Sequence, residues 1–128
     1  MAYYFSKTLQ TTFEDAVDRV IEELKKEGFG ILTDIDVKET VKKKLNLEFR
    51  KYRILGACNP PFAFQALQAE DKIATMLPCN VIVQEVPSVG VEVAAVDPVA
   101  SMQAIENPKL AEIADQIRSK LRDVIERM

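Results

Sequence analysis

Two cysteines, each followed by asparagine, are the residues of this chain best suited to chemistry: Ala57-Cys58-Asn59-Pro60 and Pro78-Cys79-Asn80-Val81. A thiolate can attack an electrophile, be oxidised or hold a soft metal. Cys58 falls where a strand reading gives way to a helix opened by Asn59-Pro60-Pro61, and the positive end of a helix lowers a nearby thiol pKa. The chain has no histidine, so activation of Cys58 would rest on backbone amides or on Lys51 and Arg53. The same absence excludes Ser-His-Asp triads, Cys-His pairs, His-ligated zinc and proximal-His haem. Three readings of the two cysteines stay open. They pack, as buried free cysteine often does; they line a ligand or metal pocket; or Cys58 is a redox thiol that Cys79 resolves.

The neighbours of the cysteines extend the candidate site. Asn59 reads as the cap of the following helix, and Asn80 either satisfies a turn amide or offers its own amide to a ligand. Asp97, before Pro98, reads as another cap. A metal site within one chain would add Asp97, Glu85 or Glu92 to the two thiols, which is a weakly specific donor set. No cofactor is indicated. Tyr52, between Lys51 and Arg53, reads as a half-buried strand residue with a wet hydroxyl. The adjacent pair Glu70-Asp71 reads as a cap, because neighbours on a helix point apart. No GxGxxG, GxxxxGK[ST] or GxSxG pattern occurs, so nucleotide and hydrolase fingerprints are missing.

These residues need elements to position them. Period-two alternation over 3–9 reads as a strand. Thr12 then caps a helix over 12–27, with Phe13, Val17, Val20, Ile21 and Leu24 at helical spacing and Gly28 just past its end. Ile31–Ile35 reads as a strand, 37–45 as a lysine-rich helix and 47–58 as an irregular strand with a buried end. Short helical pieces follow at Asn59-Pro60-Pro61 and over Asp71–Leu77. Residues 81–86 and 91–96 read as a hairpin across Pro87-Ser88-Val89-Gly90. Asp97-Pro98 starts a helical turn, and Asn107-Pro108 a final helix reaching Met128. Such an order predicts an α+β two-layer sandwich, its mixed or antiparallel sheet of about five strands carrying helices on one face. The other face needs water or a partner, with Tyr3, Phe5, Ile35 and Ile54 as candidates to face it. On the last helix Leu110, Ala114, Ile117, Leu121, Val124 and Met128 form an a/d seam. The seam reads as core, or with Ile113 and Ile125 beside it as part of a homodimer contact.

Length and charge bound the rest. With 128 residues the chain is a single domain, 1–128, long enough to bury a core without staples. Net charge is −3, and the clusters Lys42-Lys43-Lys44 and Arg50-Lys51-Tyr52-Arg53 sit beside Glu39 and Glu48. That is not the strongly basic face of a nucleic-acid binder, and no nucleic-acid partner is expected. Neither a signal peptide nor a membrane span is read, so the expectation is a cytoplasmic protein with reduced thiols.

The stretch Tyr52-Arg53-Ile54-Leu55-Gly56-Ala57-Cys58-Asn59-Pro60-Pro61 resembles the signature of the domain of unknown function 302 family. So do Ala66-Leu67-Gln68-Ala69-Glu70, the run Leu77-Pro78-Cys79-Asn80-Val81-Ile82-Val83, and Asp97-Pro98. The resemblance implies a small α+β sandwich that tends to homodimerise and whose function is unassigned. Carried over residue by residue, its motif positions are Cys58, Asn59, Cys79, Asn80 and Asp97, and the resemblance makes these the candidate ligand-binding set. Residues and resemblance together lead to a non-catalytic small-ligand or effector-binding module that homodimerises. The alternatives are a thiol-dependent enzyme or redox sensor using Cys58 and Cys79, and a scaffold protein.

Overall fold

The first helix shows how local signals set the frame. Thr12 holds an extended backbone and its Oγ1 accepts from the Asp15 amide at 3.1 Å, so α1 starts at Phe13 and runs to Lys26. Its apolar stripe, including Phe13, Val17, Val20 and Leu24, is buried. The computed structural model describes residues 2–128. The remaining elements are β1 (Tyr4–Leu9), β2 (Gly30–Asp36), α2 (Val37–Leu45), β3 (Tyr52–Cys58), α3 (Pro60–Ala69), a 3₁₀ turn (Ile73–Met76), β4 (Cys79–Val86), β5 (Gly90–Val96), α4 (Pro98–Ser101) and α5 (Pro108–Glu126).

The five strands form one sheet in the order β1-β5-β4-β3-β2. Every pairing is antiparallel. The helices pack on one face, which makes a two-layer α+β sandwich. On that face Leu55, Val81, Val83 and Val93 are fully buried beneath Val20, Leu24, Leu121 and Val124 of the helices. The whole α5 seam is buried, from Leu110 to Met128, and so are Ile113 and Ile125. Ile113 and Ile125 are thus core residues of the single chain rather than a surface for a second one.

The opposite face is open among the described residues. Strand register aligns Ala94, Ile82, Ile54 and Ile35 in one row across four strands. Beside it runs a second row, Thr8, Glu92, Gln84 and Tyr52. Ile35 and Ile54 therefore lie where the sequence placed them, and Tyr3 borders the same face. Phe5 does not: it packs against the core, with the Arg118 guanidinium 5.3 Å above its ring. Alternation gives the parity of a strand but not which parity meets the helices.

Two element boundaries also differ from the sequence reading. Residues 47–51 are not strand. Their apolar members Leu47 and Phe49 belong to a connection in which Arg50 stacks 4.5 Å over the Phe49 ring and Lys38 donates to the Phe49 carbonyl at 2.9 Å. The helical piece expected over 71–77 shrinks to the 3₁₀ turn. Glu70 does not cap it by side chain; its carboxylate instead accepts from Asn107 Nδ2 at 3.4 Å.

Candidate functional site

Register brings the two Cys-Asn steps together. In the β3–β4 pairing Ala57 lies opposite Cys79, so Cys58 is one residue beyond the Cys79 partner. Gly56 permits the approach of the chain that leads into β4. A Cβ on Gly56 would overlap Thr33 Oγ1 and come within 2.7 Å of Pro78 Cγ. Above this sheet end lie α3, the 3₁₀ turn and the first half of α5. Between them is a hollow of about 280 Å³.

The hollow exists because small side chains meet there. Ala57, Ala63, Ala66, Ala74 and Ala114 line it, together with Cys58, Cys79 and Met102. Larger walls come from Phe29, Leu77, Leu110, Ile113 and Ile117. No lining residue is charged. At the rim Leu32 is 66% exposed and Leu67 41%, so apolar surface runs out of the hollow onto the exterior.

Asn59 is the polar member of this lining and corrects the capping expectation. It occupies the cap position of α3 but makes no side-chain cap bond. Its Nδ2 instead donates to the Glu27 carbonyl at the end of α1, at 3.0 Å. Gly28 makes room for this with a φ of +87°, and a Cβ there would stand 3.2 Å from Asn59 Nδ2. Asn59 is 8% exposed, and its Oδ1 accepts no hydrogen bond from any described residue. This oxygen still touches accessible space, and Asn59 is part of the lining of the hollow.

The thiols are unpaired, Cys58 half-buried and Cys79 buried. Burial pushes the Cys79 thiol up to about 11, with the nearby Cys58 adding to the effect. At neutral pH Cys79 is therefore an uncharged thiol and a poor nucleophile. The metal alternative loses its carboxylates. Among the described residues no three Cys, Asp or Glu side chains gather as a cation site.

The other two candidates sit elsewhere. Asn80 is exposed and lines a groove on the open sheet face with Tyr4, Tyr52 and Ile82. Asp97 is 4% exposed and structural. One carboxylate oxygen caps α4 by accepting from Val99 N at 3.0 Å, and the other accepts from Arg118 Nε at 3.0 Å. The capping expectation for Asp97 is met, and Arg118 is a partner that sequence reasoning missed. Cys58, Asn59 and Cys79 thus share one site, and Asn80 and Asp97 do not. Also missed were Ala66, Met102 and Ala114, whose only local signal is small or flexible side chains on apolar stripes.

An open antiparallel sheet, helices on one face and a thiol-lined hollow at one sheet end define a small α+β sandwich protein. The family model described as domain of unknown function DUF302 matches residues 5–128, and the chain belongs to that family. It is similar in structure to the uncharacterized conserved protein DUF302 from Bacillus stearothermophilus, with a TM-score of 0.91 and 27% identity. The match covers 99% of this chain and 98% of the other. No curated protein matches the sequence significantly. No described helix is long and apolar enough to cross a membrane.

Proposed function

We propose that this protein is a non-catalytic module that binds a small ligand in the hollow beside Cys58, Asn59 and Cys79. One observation carries the reading: an uncharged hollow of about 280 Å³, with a free acceptor on Asn59, at the place where two sequence motifs converge. Pockets of this kind are apolar with a few placed polar groups. The elevated Cys79 pKa favours binding over thiol chemistry. In a cytoplasmic setting both thiols would stay reduced and form part of the lining. A thermal-shift screen of neutral and charged metabolites tests this on wild type and Ala66→Leu. A ligand of the hollow raises the wild-type melting temperature by mass action and leaves Ala66→Leu unchanged. A flat response across the screen contradicts the reading.

Self-association belongs to the same proposal, and the open sheet face is its natural seat. The row Ala94–Ile82–Ile54–Ile35 is uncharged, and Tyr3 and Tyr4 beside it are 68% and 43% exposed. An apolar patch is self-complementary across a two-fold axis. Sedimentation gives the answer: about twice 14.4 kDa is expected for wild type, falling to 14.4 kDa in Ile82→Lys. A wild-type mass of 14.4 kDa at micromolar protein contradicts the dimer.

A further inference from the structure

The chemistry of the hollow narrows what it can hold. A charged group inside would face no counter-charge, and burying an unpaired charge is strongly unfavourable. Water is also a poor occupant. It needs two to four polar partners, whereas Asn59 is the one strong polar side chain of the lining and the thiols and the Met102 thioether are weak partners. Size adds a further limit. A cavity of roughly 150 Å³ holds benzene, so about 280 Å³ has room for a fused pair of rings. Sulfur favours contact with ring edges, and Cys58, Cys79 and Met102 supply it from the walls. The polar requirement is single and directional. Asn59 Nδ2 is committed to the Glu27 carbonyl, which fixes the amide so that Oδ1 is the free atom. An acceptor calls for a donor on the ligand.

We infer that the hollow takes a neutral, largely hydrocarbon molecule of one or two rings with a single N–H or O–H that donates to Asn59 Oδ1. This inference rests on the reading of the hollow as a ligand site. The probes are indole, 1-methylindole and indole-3-acetate, titrated calorimetrically against the full chain. Indole is expected to bind, and 1-methylindole roughly tenfold more weakly, the cost of about 1.4 kcal/mol for one lost hydrogen bond. Indole-3-acetate is expected not to bind detectably. Ala66→Leu, and independently Ala114→Leu, should abolish indole binding.

Comparison among ligands keeps the test independent of any variant that folds poorly. Equal binding of indole and 1-methylindole overturns the donor requirement. Tighter binding of indole-3-acetate, lost in Ala66→Leu, overturns the neutral class and leaves the hollow as a ligand site. Absence of binding by all three overturns the inference, and the broader metabolite screen then decides whether the site reading falls with it. Indole binding that survives both filled variants places the ligand elsewhere and overturns the inference.

Discussion

The same helix, α5, meets two different neighbourhoods. Its second half places Leu121 and Val124 over a sheet and an α1 whose Ala16, Val20 and Leu24 are completely buried. Ion pairs clamp the two helices at that end, with Arg127 3.1 Å or less from both Glu23 and Glu27. Its first half sets Leu110, Ala114 and Ile117 over the hollow beneath α3. Both halves carry the same heptad-like seam. What differs is the partner: valine and leucine on one side, alanine and cysteine on the other. Protein interiors are close-packed by default, so the run of small residues under the first half leaves a hollow that the second half lacks.

The largest effect that could sharpen this contrast is in the packed half. Leu121→Ala should destabilise the fold by about 2–5 kcal/mol, the usual loss for a fully buried leucine. Urea denaturation measures it, and a loss under 1 kcal/mol would mean that the packed half is looser than it looks. Ala16→Leu and Ala66→Leu form the next comparison. Both alanines are buried, but only Ala66 borders the hollow. Overpacking should cost Ala16→Leu about 1–3 kcal/mol, whereas Ala66→Leu should be neutral or stabilising. Equal losses would erase the distinction.

Cys79 gives a pH version of the same test. Its folded pKa is raised from 9.0 to about 11. Between those values the unfolded chain has released the thiol proton and the folded chain has kept it. Stability is then fully present below pH 9 and falls as pH rises toward 11, by about 2 kcal/mol for this one group. Cys79→Ala should flatten that part of the alkaline limb. An unchanged limb would contradict a buried, neutral thiol at this site.

The smallest effect belongs to the exposed clamp. Arg127, then Lys26, holds the Glu23 carboxyl below its usual range. A depressed carboxylate contributes stability above its unfolded pKa and loses it as pH falls through the folded value. Arg127→Gln should therefore lessen the acid-side slope of stability, with the small loss showing at neutral pH and low-pH stability nearly unchanged. An identical slope would show that the clamp is fully screened by solvent.

Local signals carried much of this architecture. The α5 seam, the Thr12 cap and the β4–β5 hairpin are written in short-range periodicity and turn chemistry, and the structure reproduces them. Misreadings occur where a distant partner decides. Asn59 satisfies the rule for a cap, yet its amide is taken by Glu27, 32 residues earlier in the chain. Residues 47–51 have strand-like composition but lie outside the sheet strands, where Arg50 donates to Gln84 and Lys38 to the Phe49 carbonyl. The candidate site was half legible. The Cys-Asn repeats located Cys58, Asn59 and Cys79, because strand register turns two separate motifs into neighbours. Asn80 follows Cys79 by one residue, and strand alternation sends it to the open face. The hollow itself depends on which side chains are small across five separate elements, and no single stretch of sequence records that coincidence.

The central claim is most directly tested by an NMR titration of the full chain with indole, following backbone and methyl resonances. Saturable shifts should concentrate at Ala57, Ala66, Cys79, Ala114 and Ile117, the walls of the hollow. Shifts confined to Tyr4, Ile82 and Ala94 on the open sheet face, or no saturable shift at all, would contradict it.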